Sequence, residues 1–321
     1  MLLCYYIITT MYLKFVILFL NSIVLTRVES HKTELLGRAI KKPSTVHLWE
    51  MPQWESQMSI PTEFNWCSNG YCVSSSNQHI PQYCGSCWNF ASVMALNDRV
   101  KGLRKGAYPD IKFSTQHVLN CIKGASCYGG QVDSVYNWML NDDIALSFED
   151  AMPYLACSSD STEGFCKNVD TTCKPLNIAR TCGSFSSEAG PCVGLQYYPN
   201  VTISDYGTIS GQASMKAEIS KNGPIACSIA ATALLNYKGG IITNADTEID
   251  HVVEVVGWSD TGKYWIIRNS WGSYWGEMSF ARISYGSLAL EEECTWATIK
   301  DYTAPEKHNQ VPCTEGGKCS L

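Results

Sequence analysis

From Cys87 onward the apolar residues Phe90, Ala91, Met94, Ala95 and Val100 recur at i, i+3 and i+4 spacing with no Gly or Pro among them. That pattern predicts a buried amphipathic helix opening at Cys87. Ser114 to Cys121 reads as a short helix capped by the Ser114 hydroxyl, and helical spacing returns from Val132 to Leu140. From Ser147 to Gly194 periodicity is lost among Gly, Ser, Pro and five cysteines, which predicts disulfide-pinned loops and a domain junction. A helix near Met215 to Lys221 stops at Asn222-Gly223-Pro224, and Ile225 to Ile229 reads as a strand. Two β-branched runs, Asp250 to Trp258 and Tyr264 to Asn269, flank the turn sequence Ser259-Asp260-Thr261-Gly262 and predict a hairpin. A turn centred on Asp260 and Thr261 sets His251 opposite Asn269 or Ser270, where cross-strand Cβ atoms lie about 4.5–5.5 Å apart.

Before this body, Phe15 to Leu20 and Ile23 to Leu25 form an apolar core that ends in Val28-Glu29-Ser30. This predicts a secretory signal over residues 1–30, with Met11 as a candidate start, against the alternative of a retained membrane anchor. Residues 31–59 are polar without sustained periodicity and read as a short pro-segment. The folded body is expected over 60–300, and 301–321 as a C-terminal tail with no assigned role.

The chain has 321 residues, 45% of them apolar and 17% charged, which supports one large or two modest globular domains. A net charge of −6, with no basic run interleaved with aromatics, argues against nucleic acid as a partner. Sixteen cysteines belong to an oxidising compartment. With Cys4 in the leader and Cys87 set aside, fourteen remain, enough for seven bridges; Cys67 with Cys72 and Cys313 with Cys319 are spaced for small local loops. Asn200-Val201-Thr202 is a glycosylation sequon, usable in a secreted chain and implying a surface position.

The chemistry concentrates in Gln78-His79-Ile80-Pro81-Gln82-Tyr83-Cys84-Gly85-Ser86-Cys87-Trp88. At a helix N-terminus the unpaired N–H groups and the helix dipole favour a thiolate, the nucleophilic form of Cys87. Two cysteines three apart also fit a redox pair or half a zinc site, although no second close Cys or His pair completes a metal set. A thiol nucleophile needs a base, and the base needs a group that holds its ring in the useful tautomer. His251 and Asn269 fit those two roles.

Gln78, the Cys84-Gly85-Ser86-Cys87-Trp88 run, Asp250-His251 and Asn269-Ser270-Trp271-Gly272 with Trp275-Gly276 together resemble the papain family of cysteine proteases over about residues 60–299. The resemblance implies an α+β, papain-like two-domain fold. A helical half (about 60–190) would carry Cys87, and a β-rich, β-barrel-like half (about 191–300) would carry His251 and Asn269 across a cleft. It implies Gln78 and the Cys87 N–H as the oxyanion hole, Gly129-Gly130 as a rim pairing with substrate backbone, and Trp271 as a shield over the Asn269–His251 bond. It implies no cofactor and no metal.

Within the family the chain is similar to the cathepsin X (cathepsin Z) carboxypeptidases, because the insertion His79-Ile80-Pro81 accounts for Gln78 standing nine residues before Cys87. That likeness implies removal of single residues from peptide C-termini, with His79 anchoring the substrate's terminal carboxylate. It also implies peptide substrates with a free C-terminus, cystatin-type inhibitors, a monomer with no membrane association once the signal is removed, and a lysosomal or secreted destination. Endopeptidase or dipeptidase action, or an inactive secreted binding protein on the same fold, are the alternatives. Two features depart from the pattern. Cys87 to His251 spans 164 residues, beyond the roughly 130 expected. The pro-segment holds no cysteine that could bond the nucleophile.

Overall fold

The computed structural model describes residues 60–183, 192–310 and 312–314. The expected signal and pro-segment, and Cys319 of the tail, lie outside them. Among the described residues no helix is long and apolar enough to cross a membrane.

The described residues hold four helices: α1 (Cys87–Leu103), α2 (Thr115–Cys121), α3 (Ser134–Asn141) and α4 (Gln212–Asn222). α1 opens at Cys87 as its pattern predicts, but it is not amphipathic: every residue from Cys87 to Val100 is buried. Its polar residues are cross-links rather than a solvent face. Asn89 Nδ2 donates to the Thr115 carbonyl at 2.8 Å, Asn97 Oδ1 accepts from Phe113 N at 2.8 Å, and Arg99 reaches the carbonyls of Pro224 and Ala297 and the Glu218 carboxylate. A buried polar group costs free energy unless bonded, so these pairings are what permit a polar helix to run through the core. In α2 the Ser114 hydroxyl accepts from His117 N at 2.9 Å, the expected cap.

The strands are β1 (Glu63–Asn65), β2 (Leu146–Ser147), β3 (Arg180–Thr181), β4 (Val193–Gly194), β5 (Asn200–Ile209), β6 (Ile225–Ile229), β7 (Ile241–Ile242), β8 (His251–Ser259), β9 (Tyr264–Arg268), β10 (Phe280–Ser284) and β11 (Cys294–Tyr302). Nine form one sheet in the order β2-β5-β11-β6-β8-β9-β10-β7, with β1 beside β8, and β3 pairs with β4. The end strands β2 and β7 do not pair with each other, so the β-rich part is an open mixed sheet, barrel-like only in the loose sense of an unclosed one.

β8 is the strand on which the sheet turns. One edge pairs with β6 over His251 to Val255 and then with β1 over Gly257 to Ser259, while the other edge takes β9. The hairpin loop runs Asp260–Lys263, because Ser259 faces Tyr264, and a bulge leaves Val256 without a β9 partner. The extra residue shifts the alternation, so that Val253, Val255 and Trp258 all enter one core while Val252 enters the other. Gly257 is required there: a Cβ would meet the Phe64 carbonyl oxygen at 2.1 Å. The first core joins α1, α2 and α3 to β5; the second lies under Trp258, Trp265, Trp271 and Trp275, with α4.

Six disulfides link described cysteines: Cys67–Cys72, Cys84–Cys127, Cys121–Cys173, Cys157–Cys166, Cys182–Cys192 and Cys227–Cys294. Cys313 is also disulfide-bonded, while Cys87 keeps its thiol. The irregular stretch is pinned as its composition implies: Cys157–Cys166 and Cys182–Cys192 close local loops, and Cys121–Cys173 ties it to α2.

Candidate active site

Cys87 is the first residue of α1 and 6% exposed. Its approach is fixed from several sides. Cys84 is bonded to Cys127, Gly85 N donates to the Cys127 carbonyl at 2.7 Å, and Trp88 Nε1 donates to the Ser126 carbonyl at 3.2 Å. A thiol held at the start of a helix has oriented N–H dipoles around it, and these stabilise its anion.

His251 begins β8 and is 1% exposed. Its Nε2 lies 2.8 Å from Asn269 Oδ1, and the Ser270 N–H donates to that same oxygen at 2.8 Å. With Oδ1 accepting from both, the ring carries its proton on Nε2 and turns Nδ1 outward from the carboxamide. The Trp271 indole covers the pair, its ring 5.0 Å from the His251 ring, and is itself braced edge-on by Trp275 at 5.4 Å.

Gln78 joins the two parts. Its side chain is fully buried, Nε2 donates to the Cys84 carbonyl at 3.0 Å, and Oε1 accepts from the Ser270 hydroxyl at 2.6 Å. Its backbone N–H donates to the Ser270 carbonyl at 2.8 Å. Its carbonyl accepts from the Tyr154 hydroxyl at 2.8 Å, so Tyr154, having one proton to give, accepts in turn from Ser86 Oγ at 2.8 Å. One glutamine thus touches both the approach to Cys87 and the residue after Asn269. Tyr154 carries no signal in the sequence, since it sits in the stretch without periodicity.

His79 follows at once. Its ring lies 4.8 Å from Tyr83 and 6.2 Å from Trp271, the indole that also packs on His251. Ile80, next in the insertion, is 60% exposed. On the opposite flank Gly129 and Ser126 exchange backbone hydrogen bonds, and a Cβ on Gly130 would meet the Trp88 ring at 2.6 Å. Gln78, His79, His251, Asn269 and Trp271 are thus linked through Ser270 and the Trp271 indole, while Gly129 and Gly130 bear on Ser126 and on Trp88, the residue after Cys87. Asn200 takes no part in it: it starts β5, half-buried, with Nδ2 donating to the Tyr198 carbonyl at 2.9 Å.

A buried thiol at a helix start and a buried imidazole oriented by an asparagine are the equipment of a thiol hydrolase, and comparison with known proteins places the chain in that class. Residues 60–303 match the papain family cysteine protease model, and the chain belongs to that family. Among its relatives is Cathepsin Z of Onchocerca volvulus, 39% identical over 256 residues that make up 74% of this chain and 78% of that one. Cysteine proteinase 2 of Leishmania pifanoi is 29% identical over 254 residues, which is 77% of this chain but only 50% of that protein. The fold matches digestive procathepsin L2 of Tenebrio molitor larval midgut with a TM-score of 0.64 at 21% identity, covering 84% of this chain and 80% of that one. It matches proCathepsin B S9 of Trypanosoma congolense equally, at 0.64 and 21%, over 85% and 89%.

Proposed function

We propose that this papain-family cysteine peptidase is a carboxypeptidase that releases single residues from peptide C-termini, with Cys87 as nucleophile, His251 as acid and base, and Asn269 as the group that orients His251. The observation carrying the finer reading is the placement of His79. The insertion sets an imidazole against Trp271, whose indole also packs on the His251 ring. An imidazole there can donate a hydrogen bond to a terminal carboxylate and stop the peptide one residue past the scissile bond.

The Cys87 thiol gives its proton to His251 Nδ1, Cys87 Sγ attacks the last peptide carbonyl, and the new oxyanion is held by the Gln78 amide and the Cys87 N–H. His251 gives its proton to the departing amino acid, which leaves. His251 then takes a proton from water, the hydroxide attacks the acyl-enzyme, and the shortened peptide and free thiol are restored. Trp271 keeps solvent from the His251–Asn269 bond, and Gly129-Gly130 offer backbone to the substrate. A signal, a pro-segment over 31–59 and passage through the secretory pathway belong to the same proposal; the six disulfides fit an oxidising route. The reading is tested with His79→Ala. Turnover of a free-acid peptide should fall, while labelling of Cys87 by a small epoxide thiol reagent continues; equal turnover by variant and parent would refute the anchor.

A further inference from the structure

Behind the candidate triad lies a cluster of charge with no access to water. Arg268, Asp98 and Glu254 are each 0% exposed. Arg268 Nη2 bonds Asp98 Oδ2 at 2.6 Å, its Nε bonds Glu254 Oε2 at 2.7 Å, and its Nη1 donates to the Val73 carbonyl at 2.6 Å. Val73 N returns a bond to Asp98 Oδ1 at 2.8 Å. Each member stands on an element that bears one part of the site. Asp98 is on α1 with Cys87, Glu254 is on β8 with His251, Arg268 directly precedes Asn269, and Val73 lies on the segment that leads to Gln78.

We propose that Asp98, Glu254 and Arg268 act as one positioning unit that holds the helix of Cys87 in register with the hairpin of His251 and Asn269, and that Glu254 works in it as a neutral carboxylic acid. One guanidinium cannot balance two carboxylates, and an unpaired charge in a dry interior costs several kcal/mol. The cheaper state keeps one proton. Glu254 Oε1 is the place for it, being buried with no other hydrogen-bond partner and within reach of the Asp98 carboxylate. Burial is the main cause that pushes the Glu254 carboxyl up to about 8, against the pull of Arg268 and with a further push from Asp98. The other elements packed around it add little charge. β6 sets Ala226 opposite Glu254, α3 brings the Tyr136 hydroxyl, which donates to the Ser92 carbonyl, and Arg99 on α1 is turned to Glu218.

The sign follows from which state holds the proton. Between the ordinary carboxylate range and about pH 8 the folded chain holds a proton that the unfolded chain has released, so stability falls as pH rises through that window. Above it Glu254 ionises in place, and the register between α1 and the hairpin loosens. The functional consequence rests on the catalytic reading of Cys87 given above; the stability consequence does not.

Urea unfolding of the full chain carrying Cys87→Ser, which cannot digest itself, is compared at pH 6.5 and 8.5 with the same chain carrying Glu254→Gln. In the parent the folded-to-unfolded ratio should drop roughly tenfold per pH unit until Glu254 ionises, relative to Glu254→Gln, whose amide copies the neutral acid. In the chain that keeps Cys87, the rate of alkylation by iodoacetamide should stay high at pH 8.5 for Glu254→Gln and fall for the parent. Parallel pH dependences of parent and variant overturn the proposal, as does a Glu254→Gln chain that fails to fold at pH 6.5. If Cys87 is inert to iodoacetamide in both chains while the urea slopes differ, the positioning unit stands and the catalytic reading falls.

Discussion

His251 Nε2 meets Asn269 Oδ1 at 2.8 Å although β8 and β9 have already stopped pairing at Glu254 and Arg268, the residue before Asn269. The contact is therefore made by side chains, and its geometry depends on what holds the carboxamide. The Ser270 N–H donates to the same oxygen, and Asn269 N donates to the Ser279 carbonyl at 2.9 Å.

If that bond sets the tautomer, Asn269→Ala removes an orienting interaction of about 1–3 kcal/mol, and kcat/KM should fall roughly ten- to hundredfold. Asn269→Asp keeps the acceptor and adds a charge, which favours the imidazolium and moves the basic limb of the pH–rate profile upward. Steady-state rates across pH separate the two effects. Unchanged rates in Asn269→Ala would remove Asn269 from the mechanism.

Gln78 has two separable functions in the site. Gln78→Glu keeps an oxygen to accept from Ser270 but loses the amide that donates to the oxyanion and to the Cys84 carbonyl, so kcat should fall by about 10²–10³. Gln78→Ala loses the Ser270 bond as well, and should lower the thermal midpoint further. Pre-steady-state acylation together with thermal unfolding distinguishes them; equal kcat in parent and Gln78→Glu would place the oxyanion elsewhere.

His117 governs the acid side of stability. It is 2% exposed, its Nδ1 accepts from Ser147 N at 3.2 Å, and burial lowers it from 6.5 to about 4. The neutral ring belongs to the folded state, so its stabilising effect is complete above pH 6.5 and is lost as pH falls toward 4, at up to about 1.4 kcal/mol per pH unit. His117→Asn keeps an acceptor for Ser147 and does not charge. Its urea midpoint should change less than the parent's between pH 6.5 and 4.5; identical slopes would exclude His117 as the cause.

Much of the site is legible in the sequence because it is built from local signals. The helix start at Cys87, the Ser114 cap and the strand at Ile225–Ile229 fall where periodicity and capping chemistry place them. The hairpin is correct in its strands but not in its register. The loop is centred later than Asp260-Thr261, and the Val256 bulge, which answers to the close approach of β1 at Gly257, cannot be read from β8 alone. The polar residues of α1 mislead for the same reason. Asn97, Asp98 and Arg99 resemble a solvent face, and only their distant partners Phe113, Val73 and Arg268, and Glu218 reveal them as buried cross-links. Tyr154 is invisible in sequence, since nothing in its own neighbourhood predicts that it binds the Gln78 carbonyl.

The most direct test follows a digest by mass spectrometry, using one peptide as its free acid and as its C-terminal amide. Carboxypeptidase action anchored by His79 predicts single residues leaving the free acid in sequence from the C-terminus, and little release from the amide. Internal cleavage of both peptides at equal rates would contradict it and leave an endopeptidase.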